Sequence, residues 1–151
     1  MEQIYDQINE FRRDPARFQP SCVVPAIKLK DLVIDSDLEA AAKWQATHQC
    51  GPARHTTCPR YCHLFGGRCD HISRITHFTK PRDVSNLNEL LVQGPRRPFR
   101  HLVESIGHCE QLLSPTENIM GGAIAGNLFV LALGWSRRRP NLRNGTVPDR
   151  L

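Results

Sequence analysis

The chain has 151 residues, 40% hydrophobic and 23% charged, which excludes a disordered segment and fits one domain with its own core. Its longest nearly apolar run, Ala123 to Leu133, contains Gly126 and Asn127 and is too short to cross a bilayer, so no transmembrane segment is expected. The net charge of +5 is uneven: Arg137, Arg138, Arg139, Arg143 and Arg150 crowd the end, and Arg96, Arg97 and Arg100 form a second cluster. A tail of this kind, residues 137–151, can hold an anionic surface by summed Coulomb attraction. No aromatic residues interleave with its arginines, which argues against nucleic acid.

In chain order, Met-Glu-Gln-Ile-Tyr-Asp-Gln lacks the basic and apolar regions of a signal peptide, so none is expected within this sequence. Ile4, Ile8 and Phe11 share one face of a predicted helix over residues 2–13, ended by Pro15. Residues 16–34 hold two more prolines and no steady period, and read as an ordered connection. Ser36-Asp37-Leu38-Glu39 has the form of a capping box opening a second helix to about Gln49, with Leu38, Ala41, Ala42 and Ala46 buried. From Cys50 to Cys69 the pattern breaks into Gly, Pro, His, Arg and four cysteines. A short helix over Asp70–Thr76, using Ile72 and Ile75, and a buried strand over 88–93 follow. Pro98 opens a third long helix in which Phe99, Leu102, Val103 and Ile106 form one face and Gly107 the end. Ile119–Ile124 and Leu128–Trp135 flank Ala125-Gly126-Asn127 as an antiparallel hairpin. The class is α+β, with helices packed on an antiparallel sheet. Asn144-Gly145-Thr146 is a formal glycosylation sequon.

The six cysteines are Cys22, Cys50, Cys58, Cys62, Cys69 and Cys109. An even, high count points to disulfides and an oxidising, extracellular setting, because the stretch from Cys50 to Cys69 has too little apolar surface to hold itself. The pairing stays open. Structural zinc on Cys58, Cys62, Cys69 and His71 is an alternative, although no CxxC pair appears, and buried free thiols are another.

Glu89 opens one short apolar run, and His108 stands in the glycine-hinged stretch Ser105-Ile106-Gly107-His108. The helix between them can fold the two together, with His63 upstream on a third segment. Neutral imidazoles from two loops suit weakly bound zinc with water in the open positions, and Glu89 can orient a histidine or hold a water as base. No activated nucleophile is evident: Ser105 lies three residues from His108 across a glycine.

The ordered motifs Ile8-Asn9-x-x-Arg12-x-x-Pro15, Leu38-x-x-Ala41-Ala42, His63 with Arg74-Ile75 eleven residues on, Glu89-x-x-x-x-Gly94, Ser105-x-Gly107-His108 and a hairpin carrying Gly122 resemble the CAP superfamily. That superfamily comprises cysteine-rich secretory proteins, antigen 5 and pathogenesis-related 1, and the chain is nearest its short bacterial-type members over roughly residues 3–136. The resemblance implies a CAP-like domain over residues 1–136, a three-layer α-β-α sandwich with a small central antiparallel sheet, and a cleft of two histidines and two glutamates able to hold zinc. Carried over, the histidines are His63 and His108, and the glutamates Glu89 and Glu104; His71 and His77 are rivals for the first histidine. Leu90-Leu91 stand where the family has Asn-Ile, and Leu102 where it has tryptophan. The implied function is a secreted module that binds a protein partner or a lipid or sterol ligand, in signalling or defence. The alternatives are a metal-dependent hydrolase using the same cleft, and an intracellular zinc-stabilised module whose basic tail binds anionic polymers.

Overall fold

The computed structural model describes residues 1–94 and 96–137. Its elements are α1 (Glu2–Arg13), β1 (Val33–Ile34), α2 (Ser36–His48), α3 (His71–Thr79), β2 (Val84–Gln93), α4 (Pro98–Glu104), α5 (Ile106–Leu112), β3 (Ile119–Ala125) and β4 (Leu128–Ser136), with 3-10 turns at Pro15–Phe18 and Pro59–Phe65. The strands form one sheet in the order β1-β3-β4-β2. The hairpin and β2 pair antiparallel, Leu90 opposite Leu131 and Gly122 opposite Leu131 from the other side. β1 adds a two-residue parallel rung, Val33 on Ile119, so the sheet is mixed.

The strand period of two sorts β4 into two faces. Phe129, Leu131 and Leu133 pack with Tyr5, Ile8 and Phe11 of α1 and with Phe99, Leu102, Cys109 and Leu112 of α4 and α5. Leu128, Val130 and Ala132 pack under α2, whose Leu38, Ala41, Ala42 and Ala46 are the buried stripe the sequence indicates. The expected α-β-α sandwich is the result, with α1, α4 and α5 on one face and α2 and α3 on the other. Gly121 permits the close approach of α2: a Cβ there would lie 2.2 Å from the Glu39 backbone nitrogen.

The connection over residues 16–34 is held by side chains from α1. Asn9 bonds both backbone groups of Leu32, at 3.0 and 2.8 Å, and buried Arg12 donates to the carbonyls of Lys30, Leu112 and Ser114. The sequence motif in α1 is thus a set of backbone clamps.

Several expectations are corrected. The cap of α2 is Asp35, one residue before the capping box; its carboxylate accepts from Asp37 and Leu38 amides, and Glu39 instead accepts from the Tyr5 hydroxyl at 2.7 Å. The third long helix is two short ones. Ser105 adopts an extended backbone (φ −89, ψ 124), so Ile106 restarts the helix 60% exposed and Gly107 lies inside α5. Ile72 is exposed, and Arg74 takes the buried place beside Ile75. The sequon and the basic tail beyond Arg137 lie outside the described residues.

All six cysteines are in disulfides: Cys22–Cys109, Cys50–Cys58 and Cys62–Cys69. A zinc knuckle on Cys58, Cys62 and Cys69 is thereby excluded, since zinc is held by thiolates.

Candidate ligand site at the edge strand

Glu89 lies on β2, the strand at one edge of the sheet, and faces the α2–α3 layer. Its carboxylate is buried, and three side-chain bonds hold it. Arg74 of α3, with no exposed side-chain surface, donates Nη1 to Oε2 at 2.5 Å and Nη2 to Oε1 at 3.1 Å. The third is the ring of His55, whose Nδ1 stands 3.1 Å from Oε1. Burial pushes the Glu89 carboxyl up, but the bonds from His55 and Arg74 outweigh it and hold the group below the usual carboxylate range.

The cysteine-rich stretch positions His55. The Cys50–Cys58 bridge closes a small loop around it. Gln45 of α2 donates to the Arg54 carbonyl at 3.1 Å, and Arg74 donates to the His55 carbonyl at 2.7 Å and to the Thr57 hydroxyl at 3.0 Å. The Thr57 amide bonds the Cys69 carbonyl at 2.7 Å, tying this loop to the one closed by Cys62–Cys69. Arg74 therefore holds the loop and the carboxylate at once.

Two more imidazoles stand nearby. The His71 ring, at the start of α3, is 5.4 Å from that of His55. It is half-buried, and desolvation lowers its pKa below the usual imidazole value. His108 stands on α5, in the opposite layer, close enough to His55 for the charge of that ring to act on it. Its Nδ1 is buried without a hydrogen-bond partner among the described residues. Burial and the neighbouring His55 both lower its pKa, so His71 and His108 are neutral at pH 7.

Of the four residues indicated by sequence, Glu89 and His108 fall in this region. His63 is exposed on the 3-10 turn at Pro59–Phe65, and the imidazole on Glu89 is His55. Glu104 is exposed and pairs with Arg100 one turn earlier at 2.8 Å. His77 is exposed and packs against Phe65 and Phe78. Sequence reasoning missed His55 and the role of Arg74. A buried arginine beside Ile75 demands an anionic partner, and that was the available signal.

The donor set does not fit a resident zinc. Both Glu89 oxygens and His55 Nδ1 are engaged with one another and with Arg74, and no group of three or more His, Cys, Asp or Glu side chains among the described residues is placed to hold a metal ion. What remains is a buried ion pair bordered by neutral imidazoles, which can donate or accept hydrogen bonds to a ligand at the sheet edge.

No protein-family model and no curated protein sequence matches the chain. Solved structures do. An outer surface protein from Borrelia burgdorferi is 23% identical with a TM-score of 0.64, over 91% of this chain and 92% of that one. An extracellular SCP-domain protein from Bacillus anthracis is 15% identical, TM-score 0.66, over 88% of this chain and 39% of that one. A cysteine-rich secretory protein from Staphylococcus aureus is 17% identical, TM-score 0.57, over 87% and 36%. The chain thus spans well under half of the last two proteins and nearly all of the first. Together with the sandwich described above, these likenesses make the fold of this chain that of a CAP-like, or SCP, domain.

Proposed function

We propose that the protein is an extracellular CAP-like module that binds a ligand, a protein segment or a lipid, at the His55–Glu89–His108 corner, and does not cleave it. The observation that carries this reading is the Arg74–Glu89 ion pair completed by His55. A carboxylate held by a guanidinium and an imidazole, with its pKa lowered, is a poor proton acceptor and serves as a fixed anchor for the groups around it. No hydroxyl or thiol among the described residues is hydrogen-bonded to His55, His71 or His108, so the corner lacks an activated nucleophile. Three disulfides support an oxidising, extracellular setting, as do the secreted and outer-surface proteins that share the fold. Membership in signalling or defence is an extension of the same reading.

A panel of ester and peptide substrates tests it. The wild type is expected to hydrolyse none, and turnover abolished by Glu89→Gln overturns the reading in favour of a hydrolase. Calorimetric titration with zinc is the second arm. The expected heat is non-saturating and unchanged in His55→Ala and His108→Ala; saturable binding lost in both variants restores a metal role.

A further inference from the structure

The other edge of the sheet is only partly covered. β1 pairs with the first two residues of β3, and the Met120 carbonyl accepts from the Asp35 amide at 2.8 Å. Two residues on, the amide and carbonyl of Gly122 turn to the same side. There the Tyr5 hydroxyl accepts from the amide at 2.8 Å, lies 3.2 Å from the carbonyl, and gives its proton to Glu39 at 2.7 Å. Backbone groups alternate sides along a strand, so Ile124 presents the next amide and carbonyl to this edge, away from β4. Among the described residues no hydrogen bond pairs with them, and Ile124 is 45% exposed. Along this edge runs a groove of about 370 Å³ with Gly122 to Ala125 as its floor. Met1 forms one wall, and Glu39, Ala40 and Lys43 of α2 form the other. Glu39 is engaged by Tyr5, whereas Lys43 has no acidic partner among the described residues.

We propose that this groove takes an extended, acidic peptide segment of a partner protein as an added strand. It would lie beyond Tyr5, in line with β1, with its backbone bonded to the amide and carbonyl of Ile124 and a carboxylate on Lys43. Open strand edges pair with incoming strands through main-chain hydrogen bonds, and an adjacent unpaired cation selects the charge of the incoming side chain. Tyr5 limits how far the new strand extends, because it already occupies the Gly122 position.

The test uses a blocked Val-Thr-Val-Asp-Val peptide and amide NMR of the full chain. Saturable shifts at Gly122, Ile124 and Lys43 are expected. Ile124→Pro removes the donor that faces the groove and leaves the ladder to β4 intact, so binding should weaken at least tenfold, as it should in Lys43→Glu. A peptide N-methylated at its central residue should also bind at least tenfold more weakly, which decides the matter even if Ile124→Pro does not fold. The proposal is overturned if the wild type takes up no peptide, if N-methylation changes nothing, if the shifts map to the His55–Glu89 corner, or if sedimentation shows this edge pairing with a second copy of the chain.

Discussion

Two glutamates, Glu89 on β2 and Glu117 in the segment before β3, are buried to nearly the same depth against opposite faces of β2, and their pKa values are shifted in opposite directions. Glu89 is 5% exposed, Glu117 3%. Glu89 faces α3 and meets Arg74 and His55. Glu117 lies on the other face, where Asn88, the neighbour of Glu89 along the strand, donates to Oε1 at 3.3 Å. Its Oε2 is buried without a hydrogen-bond partner among the described residues. Arg12 attracts it but spends its own donors on the carbonyls of Lys30, Leu112 and Ser114. Burial therefore wins at Glu117 and pushes its pKa up to about 8, while hydrogen bonds win at Glu89. Depth alone therefore does not mark a site: one carboxylate is a charged anchor, and the other is a neutral acid at pH 7.

The largest effect is expected from making the two alike. Arg74→Ala leaves Glu89 buried with one imidazole partner, which should raise its pKa and cost about 3–5 kcal/mol in urea unfolding. A cost under about 1 kcal/mol would mean that the ion pair is solvated. Glu117→Gln addresses the other half. A carboxyl raised from about 4.5 to about 8 in the folded state stabilises relative to an ionised one below pH 4.5, and that advantage is lost as pH rises through 8. Wild-type stability should fall across this window with a slope approaching about 1.4 kcal/mol per pH unit, and the glutamine variant should lack that slope. Glu89 has the opposite sign: its contribution is present above the ordinary carboxylate range and is lost on acidification through its lowered pKa.

Replacing Cys50 and Cys58 by alanine opens the loop that holds His55. With a sequence separation of 8, the chain-entropy cost is about 2–3 kcal/mol, read as a lowered melting temperature. The His55–Glu89 contact should loosen with it. Smallest are His63→Ala and Glu104→Gln, each at an exposed position, which should stay within about 0.5 kcal/mol and leave the corner unchanged.

Where a regular period or a turn signal existed, the fold was legible. Ile8 and Phe11 in α1, the Leu38-to-Ala46 stripe in α2 and the hairpin around Gly126 all follow from spacing, and the ordered motifs supported the sandwich. β1 was not legible, because its two residues are strand only through pairing with Ile119 and Met120. Nor was the break at Ser105, where a periodic run continues in sequence while the backbone extends and the Cys22–Cys109 bridge anchors α5. Within the site, Glu89 sits on a strand with a clear signal, and His108 was marked by the motif Ser105-x-Gly107-His108 although the helix that carries it was not expected. His55 does not: it lies in an aperiodic loop whose shape is set by a disulfide and by Arg74, and counting back eleven residues from Arg74 reaches His63 instead.

The identity of the imidazole on Glu89 is the claim on which the site rests, and long-range proton–nitrogen NMR of the histidine rings tests it most directly. Comparing wild type with Glu89→Gln at pH 7, the His55 ring nitrogens are expected to move and those of His63 to stay in place. Movement at His63 with His55 unchanged would contradict it.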